Sequence, residues 1–321
     1  MPPRGGAPGR CELGGSAVRA RVAPARPRRA VSDPAPDPDY LAELVERFDL
    51  QVGTEAHLLL NLSGVLRNER VLERIPVRAY VDLDPGFTQL WHEQGQDVGL
   101  DGHTHFVTIG WGIEGWFSTL QPVVLDEWRA ANGMRHDAFT SVANWRSYGS
   151  IRHDGVFYEQ RAHSLRRFFE LPRRADARFL LALSIDPAER GDIATLREDG
   201  WNLVDPAVAA EPDGFRDYVR GSGAEFSVAQ GIYVEAQSGW FSDRSVRYLA
   251  SGRPVLVQDT GFRRKLPVGE GLLAFRTLDE AVEGVRAIVD DYDRHAQAAR
   301  AIAEEYFESD TVHGALLEDA L

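Results

Sequence analysis

The stretch 238–273, SGWFSDRSVRYLASGRPVLVQDTGFRRKLPVGEGLL, leaves fewer structural choices than any other part of this 321-residue chain. Ser242 is a good helix N-cap, and Asp243 in the first turn suits the positive end of a helix dipole. Val246, Leu249 and Ala250 follow at apolar spacings of three and four, which predicts a short helix over 243–251. Gly252 stops it and Pro254 prevents its return. Residues 255–257, Val-Leu-Val, are the short apolar run of a strand buried in a parallel sheet. Asp259, Thr260 and Gly261 come directly after that strand, and ligands of open α/β sheets bind off the carboxyl ends of strands. The stretch therefore reads as helix, strand and ligand loop. The start of the helix offers unpaired backbone N–H groups to an anion, with Ser242, Arg244 and Ser245 beside them.

Three separated motifs here carry a resemblance: WFSDR at 240–244, the YLASG…P-VL-QDTGF pattern within 248–262, and GEGLLAF at 269–275. In this order and spacing they resemble the carboxyl-terminal nucleotide-sugar-binding domain of GT-B-fold glycosyltransferases, in particular a bacterial group like families 1 and 4 of those enzymes. The resemblance covers most of the chain beyond Tyr80 and is densest over 224–275. It implies an α/β protein of two Rossmann-like domains, a nucleotide-sugar donor held mainly by the second, and an acceptor of unknown identity whose hydroxyl receives the sugar. It also implies no metal and no other cofactor, because in that fold a helix dipole and an arginine stabilise the departing diphosphate.

Composition fits this reading and excludes others. Apolar content of 43% and charged content of 26% are those of an ordinary globular protein, and the length allows two domains. A net charge of −13 argues against a nucleic-acid surface. The charge is uneven, since residues 1–30 hold seven Arg against one Glu. The single Cys11 permits no disulfide within the chain and no cysteine metal site, which suits a reducing, cytoplasmic setting. No apolar run approaches the roughly 18 residues of a membrane span, leaving peripheral contact as the only membrane association expected. Lys265 is the only lysine, against 35 arginines, a bias that GC-rich codons explain; the alternative is that a phosphate needs it.

Residues 1–37 are rich in Arg, Pro and Gly with no apolar periodicity and read as a disordered tail. A first domain is expected over 38–172, with a helix over 39–49 and strands at 56–64, 77–85, 105–110 and 139–145. A second is expected over 173–321, opening with the strand at 178–186 and ending in two amphipathic helices over 278–290 and 292–306. In the resembled fold the last helix braces the first domain. The strand, Gly-rich loop and helix that normally begin the first domain are not recognisable. The first domain is thus expected to be incomplete, short at its amino end by about 70 to 100 residues on the scale of ~30-residue βαβ units.

Five residues are assigned to the donor diphosphate: Ser242, Asp243, Arg244, Ser245 and Lys265, with Arg244 supplying the charge-assisted contact. Asp259, Thr260, Gly261, Glu270 and Gly271 are assigned to loops against the donor sugar or nucleotide, since glycine permits close backbone approach. Many retaining relatives carry two glutamates eight residues apart; aligned on Gly252 and Pro254, those positions fall on Gly239 and Arg247, neither acidic. An inverting reaction requires a general base, for which Asp84, His92 and His105 are the catalytic candidates, with His103 beside them. Asp82 and Asp84 share one strand face, the pattern of a metal pair, but acceptor or donor contact by Asp84 is the preferred reading and no metal ligand is assigned.

The expectation is a glycosyltransferase moving a sugar from a nucleotide donor to an acceptor hydroxyl. Two alternatives stand beside it: a sugar-nucleotide-binding protein with impaired catalysis, and a nucleotide-sugar epimerase of the same fold.

Overall fold

A computed structural model describes residues 56–131 and 133–319. The Arg-rich tail and the helix expected over 39–49 lie outside these residues.

The first sheet is built from β1 (Leu58–Leu62), β2 (Val77–Asp82), β3 (His105–Thr108) and β4 (Phe117–Ser118), paired in that order and all parallel. A four-residue helix α1 (Glu69–Leu72) and the helix α2 (Phe87–Glu93) connect its strands. The second sheet starts with β5 (Phe139–Asn144). A hairpin of β6 (Ile151–His153) and β7 (Val156–Tyr158) follows, then α3 (Arg161–Arg166) and α4 (Leu171–Ala175). Next come β8 (Phe179–Ser184), α5 (Arg190–Glu198), β9 (Trp201–Val204), α6 (Pro212–Gly221), β10 (Ala224–Ser227) and α7 (Gly231–Glu235). The chain continues through α8 (Asp243–Ala250), β11 (Val255–Gln258) and β12 (Leu272–Phe275). It ends in α9 (Leu278–Asp290), α10 (Tyr292–Ile302) and α11 (Ser309–Asp319).

The strand order β12-β11-β10-β5-β8-β9 is that of a doubly wound Rossmann sheet, in which the connection reverses between the first strand, β5, and the fourth, β10. This corrects one expectation. Residues 139–144 of the run assigned from sequence to the first domain form a central strand of the second sheet, bonded to β8 on one side and β10 on the other. An apolar run ending in a polar tip is the same signal in either sheet, so only long-range pairing decides which one it joins.

The local chemistry explains the elements around the opening stretch. Helix α8 begins where Ser242 accepts a hydrogen bond from the Arg244 amide, and it buries Val246, Tyr248, Leu249 and Ala250. Strand β11 is buried at every position, as its uninterrupted apolar run requires. Helix α9 carries a reciprocal cap, Thr277 with Glu280. The core of the second domain is aromatic: Phe139, Phe168, Phe179, Trp201, Phe226 and Phe275 pack together. After α10 a π-turn at Ala303–Phe307 redirects the chain, and α11 crosses to the first sheet, where Leu316 packs with Ala79, Val81 and Val107.

The loops leaving β2 and β3 reach the second domain. Gly110 sits against Ser238, and the Trp111 amide donates to the Ser238 carbonyl at 2.7 Å. The carboxyl edges of the two parallel sheets therefore face each other, which puts the cleft between them.

Candidate functional site

The reversal between β5 and β10 opens a crevice at the carboxyl ends of those strands, and Arg244 lies across it. The side chain starts in the first turn of α8 and is only 15% exposed. Its Nε donates to Glu225 Oε1 at 2.7 Å, Nη2 to Ser227 Oγ at 2.6 Å, and Nη1 to the Val142 carbonyl at 2.8 Å. Glu225 and Ser227 belong to β10 and Val142 to β5, so the guanidinium bridges both strands of the reversal. Burial disfavours its charge, but Glu225 more than offsets this and raises its pKa.

A second arginine stands beside it. Arg161 opens α3, its backbone amide donating to Gln230 Oε1 at 2.8 Å. Its Nε is sealed from water with no hydrogen-bond partner, and no carboxylate among the described residues pairs with it. Loss of water and the neighbouring Arg244 push its pKa down to about 10, so it remains charged at neutral pH. The two arginines, with Val142, Asn144, Ser184 and Pro206, line a cavity of about 280 Å³. Two cations with one carboxylate between them leave this cavity electropositive.

The rim facing it comes from the first domain. Asp84 stands just beyond β2, and both its oxygens accept from tyrosines of the second domain: Tyr233 at 2.7 Å and Tyr148 at 3.1 Å. Tyr148 is 41% exposed and rests on Phe87 and Trp91. Asp82 has a different fate. It is fully buried and accepts from Thr88, Gln89, Thr108 and the Asp84 amide, all between 2.6 and 3.0 Å. With its lone pairs so occupied it cannot join Asp84 in a metal pair; its bonds instead fix the turn that presents Asp84. Among the described residues no group of three or more His, Cys, Asp or Glu is placed to hold a metal ion.

The geometry separates the residues expected from sequence. Of the five assigned to the diphosphate, Arg244 alone lines the cavity. Ser242 serves as the N-cap of α8, and Asp243 faces solvent in an ion pair with Arg247 at 2.8 Å. Ser245 is buried with an unpartnered hydroxyl beside a void of only about 10 Å³. Lys265 is exposed and sits over the Trp111 ring, 5.1 Å from its centroid, so the only lysine does not reach the phosphate-sized space.

The loop residues are also corrected. Asp259 is fully buried; one oxygen accepts from the Gly261 amide and the other pairs with Arg276 at 2.6 Å and Arg263 at 3.3 Å, so both are occupied within the protein. The Thr260 hydroxyl donates to the Trp240 carbonyl. Gly261 does require its positive φ of 97°, but the backbone it approaches is that of Gln237. Glu270 and Gly271 precede β12, at the amino end of a parallel strand, opposite the cleft. Glu270 is exposed and pairs with Arg294, and a side chain at Gly271 would run into the Ala299 backbone. His105 likewise begins β3, at the wrong end of that strand, and bonds Thr104. His103 is bonded to Asn61 and to the Leu100 carbonyl. His92 lies in the last turn of α2, half-buried, with no side-chain hydrogen bond among the described residues. Of the three catalytic candidates, Asp84 is the one the structure brings to the cleft.

Arg161, Glu225, Tyr148 and Tyr233 escaped the sequence reading. A signal existed for two of them: Tyr148 and Arg161 follow a polar-tipped strand, the place where ligands bind, but that strand was assigned to the other sheet.

No family model matches the chain, and no curated protein matches it in sequence. Solved structures do match in fold. Sucrose-phosphate synthase from Thermosynechococcus elongatus superimposes with a TM-score of 0.51 at 12% identity, covering 87% of this chain and 78% of that one. HepE from Anabaena, solved with UDP, gives 0.52 at 11% identity, covering 87% and 82%. An α-glucosyltransferase solved with UDP and a mismatched DNA gives 0.52 at 11% identity, covering 86% and 82%. The chain has the GT-B fold of glycosyltransferases, with its two parallel-sheet domains.

Proposed function

We propose that this chain binds a nucleotide sugar with its diphosphate in the arginine-lined cavity and transfers the sugar to an acceptor hydroxyl presented near Asp84. The observation that carries this reading is the pair Arg161 and Arg244, two cations with a single carboxylate at the strand reversal of a Rossmann sheet. An anion of two phosphates supplies the missing charge there, and the neighbouring fold relatives solved with UDP support that choice.

In this reading the acceptor oxygen bonds to the anomeric carbon as the bond from that carbon to the diphosphate oxygen breaks. The electron pair leaves on the diphosphate, where Arg244 and Arg161 stabilise it, and the acceptor proton passes to Asp84. The guanidinium groups make a metal unnecessary. Asp84 as base favours inversion, consistent with the absence of acids at Gly239 and Arg247. No described helix is long and apolar enough to cross a membrane; action in the cytoplasm, with the acceptor in solution or at a membrane surface, belongs to this proposal.

Arg161→Ala is the direct test, because it removes a cation without stranding an acid. Calorimetric titration with UDP is expected to show affinity at least about tenfold weaker, with the melting temperature unchanged. Equal affinity would remove the basis for the assignment. Arg244→Ala is expected to abolish turnover. The missing acidic pair also favours a second reading, a binding protein without catalysis. UDP binding by the wild type, with neither sugar transfer nor donor hydrolysis across a panel of UDP-sugars, would select it. Donor conversion with no acceptor present would point to an epimerase.

A further inference from the structure

We propose that Glu225 is a positioning residue for the anion site: acting through Arg244, it aims the guanidinium at the cavity. This rests on the reading of the cavity as a diphosphate site and assigns a role to a residue that touches no ligand.

Three observations lead to it. First, the anchoring uses one N–H on each nitrogen of the guanidinium. Arg has five N–H groups in a fixed planar fork. Nε is held by Glu225, one N–H of Nη2 by Ser227 and one of Nη1 by the Val142 carbonyl. One N–H remains on each terminal nitrogen of a side chain that lines the cavity. Each is a charged donor left over for a ligand oxygen. Glu225 and Ser227 are i and i+2 on β10, so both point to one face of the sheet and form one cradle.

Second, the pair is a poor device for stability alone. Glu225 has no exposure, and its Oε2 is buried without a partner. Removing both charges from water costs several kcal/mol per ion, and apolar residues of similar volume serve stability as well or better. A half-satisfied buried carboxylate is explained by what it does to Arg244: it holds that side chain extended across the strand reversal rather than along the helix surface.

Third, the charge count favours an anionic ligand. Arg161 and Arg244 carry two positive charges and Glu225 removes one. The cavity then accepts an anion without holding two unopposed cations when empty, and it gains most from a ligand carrying more than one negative charge. A neutral nucleoside gains nothing from this arrangement.

Glu225→Gln keeps the shape and removes the charge. Calorimetric titration of the full chain with UDP and, separately, with uridine reads the effect. Losing the carboxylate makes the cavity one charge more positive, so charge count alone would tighten UDP; a positioning role gives instead UDP affinity about tenfold weaker, uridine affinity within about twofold of wild type, and a melting temperature close to wild type. Where sugar transfer is measurable, donor KM rises with acceptor KM unchanged. Tighter UDP binding, equal loss for UDP and uridine, or no loss for either overturns the proposal, because only an aiming role predicts a loss confined to the charged ligand. If Glu225→Gln does not fold, Ser227→Ala removes only the Nη2 anchor and strands no charge; it is expected to weaken UDP about threefold and spare uridine. A wild-type chain that binds neither UDP, ADP nor GDP overturns the cavity assignment itself, whereas wild-type binding that Glu225→Gln and Ser227→Ala leave intact overturns only the role of Glu225.

Discussion

Two aspartates separated by one residue show how far residue type under-determines role. Asp82 and Asp84 close the same strand, yet Asp82 is sealed under four donors while Asp84 reaches across to two tyrosines of the other domain. Burial raises the pKa of Asp82 while its hydrogen bonds oppose the shift. Asp82→Ala leaves Thr88, Gln89, Thr108 and an amide without their acceptor. The expected cost is about 3 kcal/mol or more in urea denaturation, with loss of any turnover, because the Asp84 turn depends on those bonds. Unchanged stability would show that the network is not the structural support described. The arginines differ in the same way. Arg244 is singled out in the sequence by its helix start together with the motif it belongs to, while Arg161 comes to line the same cavity through where α3 begins.

At the scale of elements, helix boundaries follow from caps and spacing, but the joining of helices does not. Helix α8 spans Asp243–Ala250, within a residue of its expectation. What binds α3 to α5 is a bidentate pair, Arg166 to Asp192, at 2.7 and 2.9 Å, between residues with no sequence relation. The hydrogen bonds from Arg166 hold the Asp192 carboxyl below its ordinary value of 3.8. A carboxylate whose pKa is lowered by folding adds stability above the unfolded value, and that stability is lost as pH falls through the folded one. Asp192→Asn is therefore expected to cost about 1 kcal/mol at pH 7 for this partly exposed pair, and nothing once pH lies below both values. Urea denaturation of both proteins at pH 7 and near pH 3 checks it; a pH-independent difference would mean the cost arises from packing.

At the scale of the whole molecule, glycines seal the line where the sheets' carboxyl edges meet. Gly239 has φ 76°, and a β-carbon there would lie 2.6 Å from the Trp111 side chain. Its amide donates to the Thr260 carbonyl, tying the loop before α8 to the loop after β11. Gly239→Ala is expected to destabilise the chain by about 2 kcal/mol or more, through both the positive φ and the clash, lowering the melting temperature with or without UDP. A variant as stable as wild type but weaker for UDP would instead make Gly239 a ligand contact. The sequence by itself determined the span of α8 and the strand at β11, while the α/β class with two Rossmann-like sheets came from the resemblance of its motifs and the helix that crosses to the first sheet, α11, lies beyond the last one expected. That helix and that strand follow from neighbours within a few positions: caps, apolar period, breakers. The tertiary structure alone decided that residues 139–144 belong to the second sheet, that Arg161 joins Arg244, and that Asp259 and Thr260 turn inward. It also decided that Glu270, Gly271 and His105 sit at the amino ends of their strands. A parallel strand reads the same whichever sheet it enters, and its pairing partner lies dozens of residues away, so the site exists only once that pairing is made.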